Sequence, residues 1–522
     1  MTAARPRPDK DIAALAKGGR TNFLGFLLRL AAHIPFLFIA GRFYGPDLLG
    51  RFAYAVIVIE LAAQLATLGL KRGLAQQLST TGQPHNCVVM DGLLAAFIAS
   101  AAASAILMAF PQAMFPAGDI RGAEWLLPLV IFGIAGADVA LAALAYRHDV
   151  GSTVHVRAIV EPWVISLAAG LLVVTHFHRD GLIIAYVVSV VAGLAAALWR
   201  LFASYGVARG WKPHPAALMA VARRNIPLAA ADAIEWGSRR LDIAILGLFV
   251  APYYVGLYYV AQQVASMPQK LKTSFDPILA PVITQKLAEG DKAAVARQVR
   301  QVGFWIIAAQ AGIALALGIP GAAVMGLVGP NFVGGTGALA FLLAAEVVAA
   351  TAAVSEAALV YTARHRNLMI SLLTIGVQAV LTVTLVATIG DMGWPQGYQA
   401  AGAAMSLMLA LGLGSILKAR LLGRLLGAPV QGWRWPLIWA AGGATIVGFL
   451  FTLLPDELQL LELAAGIPAI LITFGTIVWK RGFTAEDRTL FRMRKGEKSE
   501  PTLPPPIGTD AEAVVHGPGG HG

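Results

Sequence analysis

Apolar runs of about twenty residues recur from one end of the chain to the other, broken by short polar or Gly/Pro-rich connections. A helix of about 20 apolar residues spans the roughly 30 Å hydrocarbon layer of a bilayer. In lipid every backbone N–H and C=O must find its partner inside the protein, so such runs predict helices and no open sheet. Fourteen helices are predicted, centred near Ala31, Leu61, Ala99, Ala135, Ala168, Val191, Gly237, Ala261, Gly312, Val348, Val380, Leu409, Thr445 and Ile470. The expected fold is an all-α polytopic membrane protein. Residues 1–20 form an N-terminal segment, 21–223 an N-lobe of helices 1–6, and 224–425 a C-lobe of helices 7–12. Residues 426–480 carry helices 13–14, and 481–522 form a largely disordered tail rich in charge, Pro and Gly.

Composition agrees with this pattern. Apolar residues are 57% of the 522, charged residues only 13%, and mean hydropathy is +0.68, whereas soluble domains carry about 25% charged residues. With the N-terminus in the cytoplasm, the cytoplasmic segments hold 33 of the 40 Lys and Arg. The outer segments hold Arg42, Arg51, Arg121 and Arg179, and the spans hold Arg29, Arg239 and Arg240. Cytoplasmic loops of membrane proteins are enriched in basic residues, so this bias places both termini in the cytoplasm. It also accounts for most of the net charge of +11 without a nucleic-acid partner. The N-terminus shows no cleavable signal peptide, and the single cysteine, Cys87, excludes an intramolecular disulfide.

The chain also repeats itself. Gly41, Phe43, Pro46, Gly50, Phe52 and Ala55 recur as Gly247, Phe249, Pro252, Gly256, Tyr258 and Ala261, always 206 residues on. Six predicted spans separate the copies, so they point the same way through the membrane. Two parallel six-helix halves are expected, with the site between them. The offset also pairs Arg29 with Glu235.

Ionisable residues inside apolar helices are the candidate chemistry, since each costs about 2.5–3.5 kcal/mol at a membrane-helix centre on insertion scales. The seventh span carries Asp232, Glu235, Arg239, Arg240 and Asp242. Four of these, Asp232, Glu235, Arg239 and Asp242, follow i, i+3, i+7, i+10, one side of a helix. Such a stripe must face protein or water. Arg29 and His33, one turn apart in the first span, are candidate anion donors, and so are Arg239 and Arg240; Arg suits phosphate through its planar fork. Glu60, Asp232, Glu235, Asp242 and Glu346 are candidates for carrying a coupling ion or for balancing the arginines; Gln64, Asp138 and Glu356 are further buried polar positions. His176 and His178 lack a third ligand, so no metal site is expected. No phosphate-binding Gly-Lys-Ser/Thr loop, zinc signature or nucleophile elbow occurs, and neither a cofactor nor an enzymatic activity is expected.

Residues 41–54 (GRFYGPDLLGRFAY), 240–247 (RLDIAILG), 255–261 (VGLYYVA), 278–283 (ILAPVI) and 329–332 (GPNF), with Gly402-Ala-Ala, resemble the polysaccharide-transporter or O-antigen flippase family of the multidrug/oligosaccharidyl-lipid/polysaccharide exporter superfamily. The resemblance implies two lobes, alternating access and a cationic cavity. Its implied substrates are undecaprenyl-diphosphate-linked oligosaccharides, precursors of O-antigen, capsule or exopolysaccharide, moved from the inner to the outer leaflet of the plasma membrane. Arg29, Arg239 and Arg240 would hold the diphosphate or acidic sugars; the acids beside them depart from a purely cationic chamber. The implied partners are the bilayer, H+ or Na+ as a coupling ion, and polysaccharide polymerase machinery. A lipid II flippase and a proton- or sodium-coupled multidrug or metabolite antiporter of the same superfamily are the alternatives.

Overall fold

The computed structural model describes residues 34–484, except 117, 119, 176–177, 207, 209, 273–286, 288–289 and 456–457; the side chains of 178, 217, 235 and 269–272 are outside the description as well. Among the described residues every regular element is helical. The long helices are α1 (Gly45–Ala66), α2 (Leu70–Thr80), α3 (His85–Ala109), α4 (Val130–Tyr146), α5 (Glu161–Val173), α6 (Gly181–Tyr205), α7 (Pro215–Phe249) and α8 (Pro252–Lys272). The second half continues with α9 (Lys292–Gly318), α10 (Gly321–Val328), α11 (Thr336–Thr362), α12 (Arg364–Asp391), α13 (Gln396–Leu426), α14 (Pro436–Thr452) and α15 (Ile467–Ile477).

Ten helical stretches among the described residues are long and apolar enough to cross a membrane, with Ile34–Thr80 as one of them. A helix runs through every predicted centre except Ala31, which lies outside the described residues with residues 1–33. Three of these helices fall short of that measure for reasons visible in their sequences. Helix α7 carries Asp232, Arg239, Arg240 and Asp242, α8 is rich in Tyr and Gln, and α14 has 17 residues.

Burial is inverted relative to a water-soluble bundle. The buried face of α12 is Asn367, Thr374, Gln378 and Thr382 with Val386, while Leu368, Met369, Leu372, Leu373, Val380 and Val383 are exposed. A helix with polar residues inward and Leu and Val outward is solvated by hydrocarbon. This is a multi-pass membrane protein.

The internal repeat has a direct physical cause. A Cβ on Gly50 would lie 1.8 Å from the carbonyl oxygen of Pro252, and one on Gly256 would lie 2.1 Å from that of Pro46. Positions 46 and 252, and 50 and 256, are separated by the repeat offset. The contact is therefore reciprocal, as at a two-fold interface: the start of α1 and the start of α8 press backbone to backbone, and only glycine allows that approach. The repeat extends inward. Phe36 packs edge-on against Phe52, ring centroids 6.3 Å apart, and their counterparts 206 residues on are Asp242 and Tyr258, joined by a hydrogen bond from the tyrosine hydroxyl.

Helices α14 and α15 dock on α9 and share one core with α9, α11 and α13. Gly312 of α9 leaves room for Phe474, and Gly448 of α14 admits Ile319. Arg434 stacks on Phe304 at 3.9 Å and donates to the Gly482 carbonyl at 2.7 Å, fixing the entry to α14. The boundary drawn from sequence at 223/224 falls inside α7, whose 35 residues begin at Pro215. At 1.5 Å per residue it is about 50 Å long, more than a bilayer's hydrocarbon thickness, so part of it stands outside that layer.

The glycine seam gives a stability prediction. Gly50→Ala forces a methyl group into a carbonyl oxygen and should cost about 1–3 kcal/mol or more by overpacking. Gly412→Ala, on an open face of α13, should be neutral or stabilising by helix propensity. Unfolding midpoints of the two variants in one detergent check this; equal midpoints would contradict the seam.

Candidate functional site

A cavity of about 660 Å³ is sunk into the first half. Its ionisable lining is Glu60 and Lys71 at the α1–α2 end, Asp138 of α4, and Arg157 and Glu161 at the start of α5. Gln64, Ser189 and Tyr186 add neutral polar groups, and Pro162 and Ile165 supply apolar wall. Its volume is within the roughly 300–1,000 Å³ typical of ligand pockets.

Local structure explains how Arg157 reaches this space. The chain between α4 and α5 begins a helix at Val150, capped by Asp149, whose carboxylate accepts from the Ser152 N–H at 3.0 Å. The helix widens into a π-turn over His155–Val160 and then meets Pro162. Proline offers no N–H to the preceding turn, and the widened turn absorbs that loss. Arg157 is thereby carried inward.

Arg157 is clamped by two carboxylates. One guanidinium nitrogen donates to both oxygens of Glu161, at 2.7 and 2.9 Å, and another to Asp138. Glu161 is seated in turn: a Cβ on Gly193 would lie 2.6 Å from its Oε1, and Ser189 donates to its backbone carbonyl at 2.8 Å. The described lining holds three carboxylates against two cations, and Arg157 is fully engaged. The cavity therefore presents many hydrogen-bond donors and acceptors and little free positive charge. That suits hydroxyl-rich ligands better than a bare anion.

The sequence-predicted residues disperse. Glu60 lines the cavity. Asp232 is buried at the middle of α7 and ion-paired with Arg72 Nε at 2.8 Å. Asp242 is fully buried against α8, accepting from the Tyr258 hydroxyl and from Gln262 Nε2 at 3.3 Å. Arg240 donates to Gln262 Oε1 at 2.9 Å, so Arg240, Gln262, Asp242 and Tyr258 form one network between α7 and α8. Arg239 is exposed, and Glu346 is half-buried on α11. Glu356 pairs with Lys418 of α13 at 3.1 Å. Arg29, His33 and the side chain of Glu235 lie outside the described residues.

The described cavity is lined by residues of the first half, and a smaller pocket between Gly50, Tyr54, Gly247 and Val255 lies between the halves. Arg157 is not among the sequence-predicted residues; it sits on a helix that continues into the bundle. The signal was present: Arg157 and Glu161 are i, i+4 in an otherwise apolar segment, a spacing that lets the pair neutralise itself.

The clamp predicts a stability hierarchy. Arg157→Ala leaves buried Asp138 and half-buried Glu161 facing each other and should cost about 2–4 kcal/mol, somewhat less than breaking a fully buried pair. Adding Asp138→Asn and Glu161→Gln should recover most of that loss. Thermal midpoints of the single and triple variants measure it; an Arg157→Ala protein as stable as the parent would contradict the clamp.

Comparison with known proteins agrees with this architecture. The fold is similar to a structure described as lipid II flippase MurJ in an inward closed conformation, with TM-score 0.65 and 11% identity over 89% of this chain and 99% of that one. It is also similar to an inward-facing multidrug resistance MATE family transporter of the MOP superfamily, with TM-score 0.62 and 14% identity over 76% of this chain and 95% of that one. For an outward-facing MATE family transporter the TM-score is 0.52 at 13% identity, over 79% of this chain and 96% of that one. No curated protein matches the chain by sequence. A family model described as "Polysaccharide biosynthesis protein" matches residues 39–316, more than half of the chain. The chain thus belongs to the polysaccharide biosynthesis protein family, on a fold it shares with MurJ and the MATE transporters.

Proposed function

We propose that this protein is a flippase. It would carry polyprenyl-diphosphate-linked oligosaccharide repeat units from the inner to the outer leaflet of the plasma membrane by alternating access. The observation that carries the reading is the polar cavity of about 660 Å³ inside an apolar bundle, in a chain of the polysaccharide biosynthesis family. Sugars and diphosphate cannot cross hydrocarbon unaided, because each desolvated hydroxyl costs free energy unless a hydrogen bond replaces water. In this reading the carboxylates of Glu60, Asp138 and Glu161 accept from sugar hydroxyls, and the Tyr186 ring and Pro162 offer an apolar face to the sugar ring. The polyprenyl chain stays in lipid, where it needs no protein cavity. The diphosphate is drawn to Lys71 at the α1–α2 end of the cavity, with Arg29, Arg239 and Arg240 as further candidate anion contacts. Glu60, with its neighbours in the cavity, is the candidate for the coupling ion, H+ or Na+. A polymerase acting on the delivered repeat units would be the downstream partner.

A second reading has its own observation. Three carboxylates against two cations also suit an organic cation, and the fold is shared with MATE transporters. That reading is a cation-coupled antiporter.

Purified protein in liposomes separates the readings. Translocation of a short-chain polyprenyl-diphosphate oligosaccharide, of lipid II and of an organic cation would be followed in parallel. The flippase reading predicts oligosaccharide transfer by the parent protein. It also predicts about a tenfold higher half-saturation concentration in Lys71→Ala, which corresponds to about 1.4 kcal/mol for one lost phosphate contact. Transfer of lipid II alone would reassign the substrate. No lipid transfer, together with gradient-driven cation efflux, would make the protein an antiporter.

A further inference from the structure

Helix α2 is short and does not cross the bundle, yet it touches both halves. Leu70, Leu74 and Leu78, one turn apart, are all buried, and anchor it to the first half. The adjacent positions face the second half. A Cβ on Gly69 would lie 2.6 Å from the Ala229 nitrogen and 2.9 Å from the Asn225 carbonyl oxygen. One on Gly73 would lie 2.0 Å from the Asn225 Oδ1. Between them Arg72 reaches Asp232 at 2.8 Å. On α7 the partners Asn225, Leu228, Ala229 and Asp232 follow i, i+3, i+4, i+7, a single helical face. Two complementary faces thus meet at backbone distance and are fixed by one ion pair whose acid is buried.

The link from α1 to α2 has an unusual backbone. Leu68 at φ 51 and Gly69 at φ 68 are consecutive left-handed residues. Leucine avoids that region, so the surrounding contacts hold the link in place, as expected of a hinge kept under constraint. Lys71 on the same helix lines the cavity, so the strap also forms part of the cavity's edge.

We infer that α2 is a strap closing the two halves at the basic end of the molecule, that Arg72–Asp232 is its latch, and that opening turns about Leu68–Gly69. The strap is the counterpart of the Gly50–Gly256 seam, which joins the halves near the start of α1, at α1's other end. Breaking the latch takes the Arg72 guanidinium away from buried Asp232, and separating α2 from α7 offsets that loss by admitting water. The inference rests on the transport reading only in supposing that the halves separate, so its test must not depend on substrate.

Spin labels at Gln76→Cys on α2 and Met219→Cys on α7, both exposed, in a Cys87→Ala background that removes the single native cysteine, report the gap directly. With the latch intact, one narrow distance distribution is expected. Arg72→Ala and Asp232→Asn should each add a longer population, and the swap of Arg72→Asp with Asp232→Arg should return the narrow one. Unchanged distributions in both single variants would overturn the latch. A disulfide between Gly73→Cys and Asn225→Cys should stop flipping until it is reduced, and flipping through the cross-linked protein would overturn the gate. If no lipid is flipped by any variant, the flippase reading fails while the distance measurement still decides the strap.

Discussion

The constraint on which the structure depends is that ionic groups inside an apolar bundle must be paired or wet. A buried ion pair gains little net stability, but removing one partner is costly, so such pairs fix geometry more than they add energy. Arg157 illustrates this. Its guanidinium binds Asp138 of α4 and Glu161 of α5, and Glu161 fits only because α6 offers Gly193 at that level. One charge thereby sets the spacing of three helices, and the cavity is the space they enclose together with α1. The Arg72–Asp232 and Lys418–Glu356 pairs do the same between other helices.

Glycine supplies the complementary device. Without a hydrophobic force between helices in lipid, close van der Waals approach is what holds them, and small residues permit it. The two halves meet backbone to backbone at Gly50 and Gly256, and again where Gly69 and Gly73 accept α7. The two contacts lie toward opposite ends of α1, which packs along its length on α7 and α8 within one continuous core.

Much of the fold was legible in sequence because lipid makes hydropathy decisive: apolar runs had to be helices, and helices stand at the described centres. The repeat was legible through Gly and Pro, since backbone contact tolerates no other residue at positions 50 and 256. The site was less so. The stripe on α7 reads as one wet face, and at 100° per residue Arg239 does lie between Asp232 and Asp242; the acids are buried because α2 covers one and α8 the other, at different heights along the helix, while Arg239 is exposed. Asp242 sits where the first half has Phe36, so its hydrogen bond to Tyr258 replaces an aromatic contact, which no periodicity announces. Arg157 escapes a hydropathy reading because a charge lowers the local average, whereas Asp138 and Glu161 pair with it inside the helix bundle.

The central claim is that the cavity holding the Arg157 clamp is the translocation route. Its most direct test is the accessibility of Gln64→Cys, a lining position, in a Cys87→Ala background. Membrane-impermeant thiol reagents would be applied to each face of oriented vesicles. The account predicts labelling from the basic face at rest and from the opposite face once substrate is cycling. A thiol that reacts from neither face, with or without substrate, would show the cavity to be structural packing and would contradict the account.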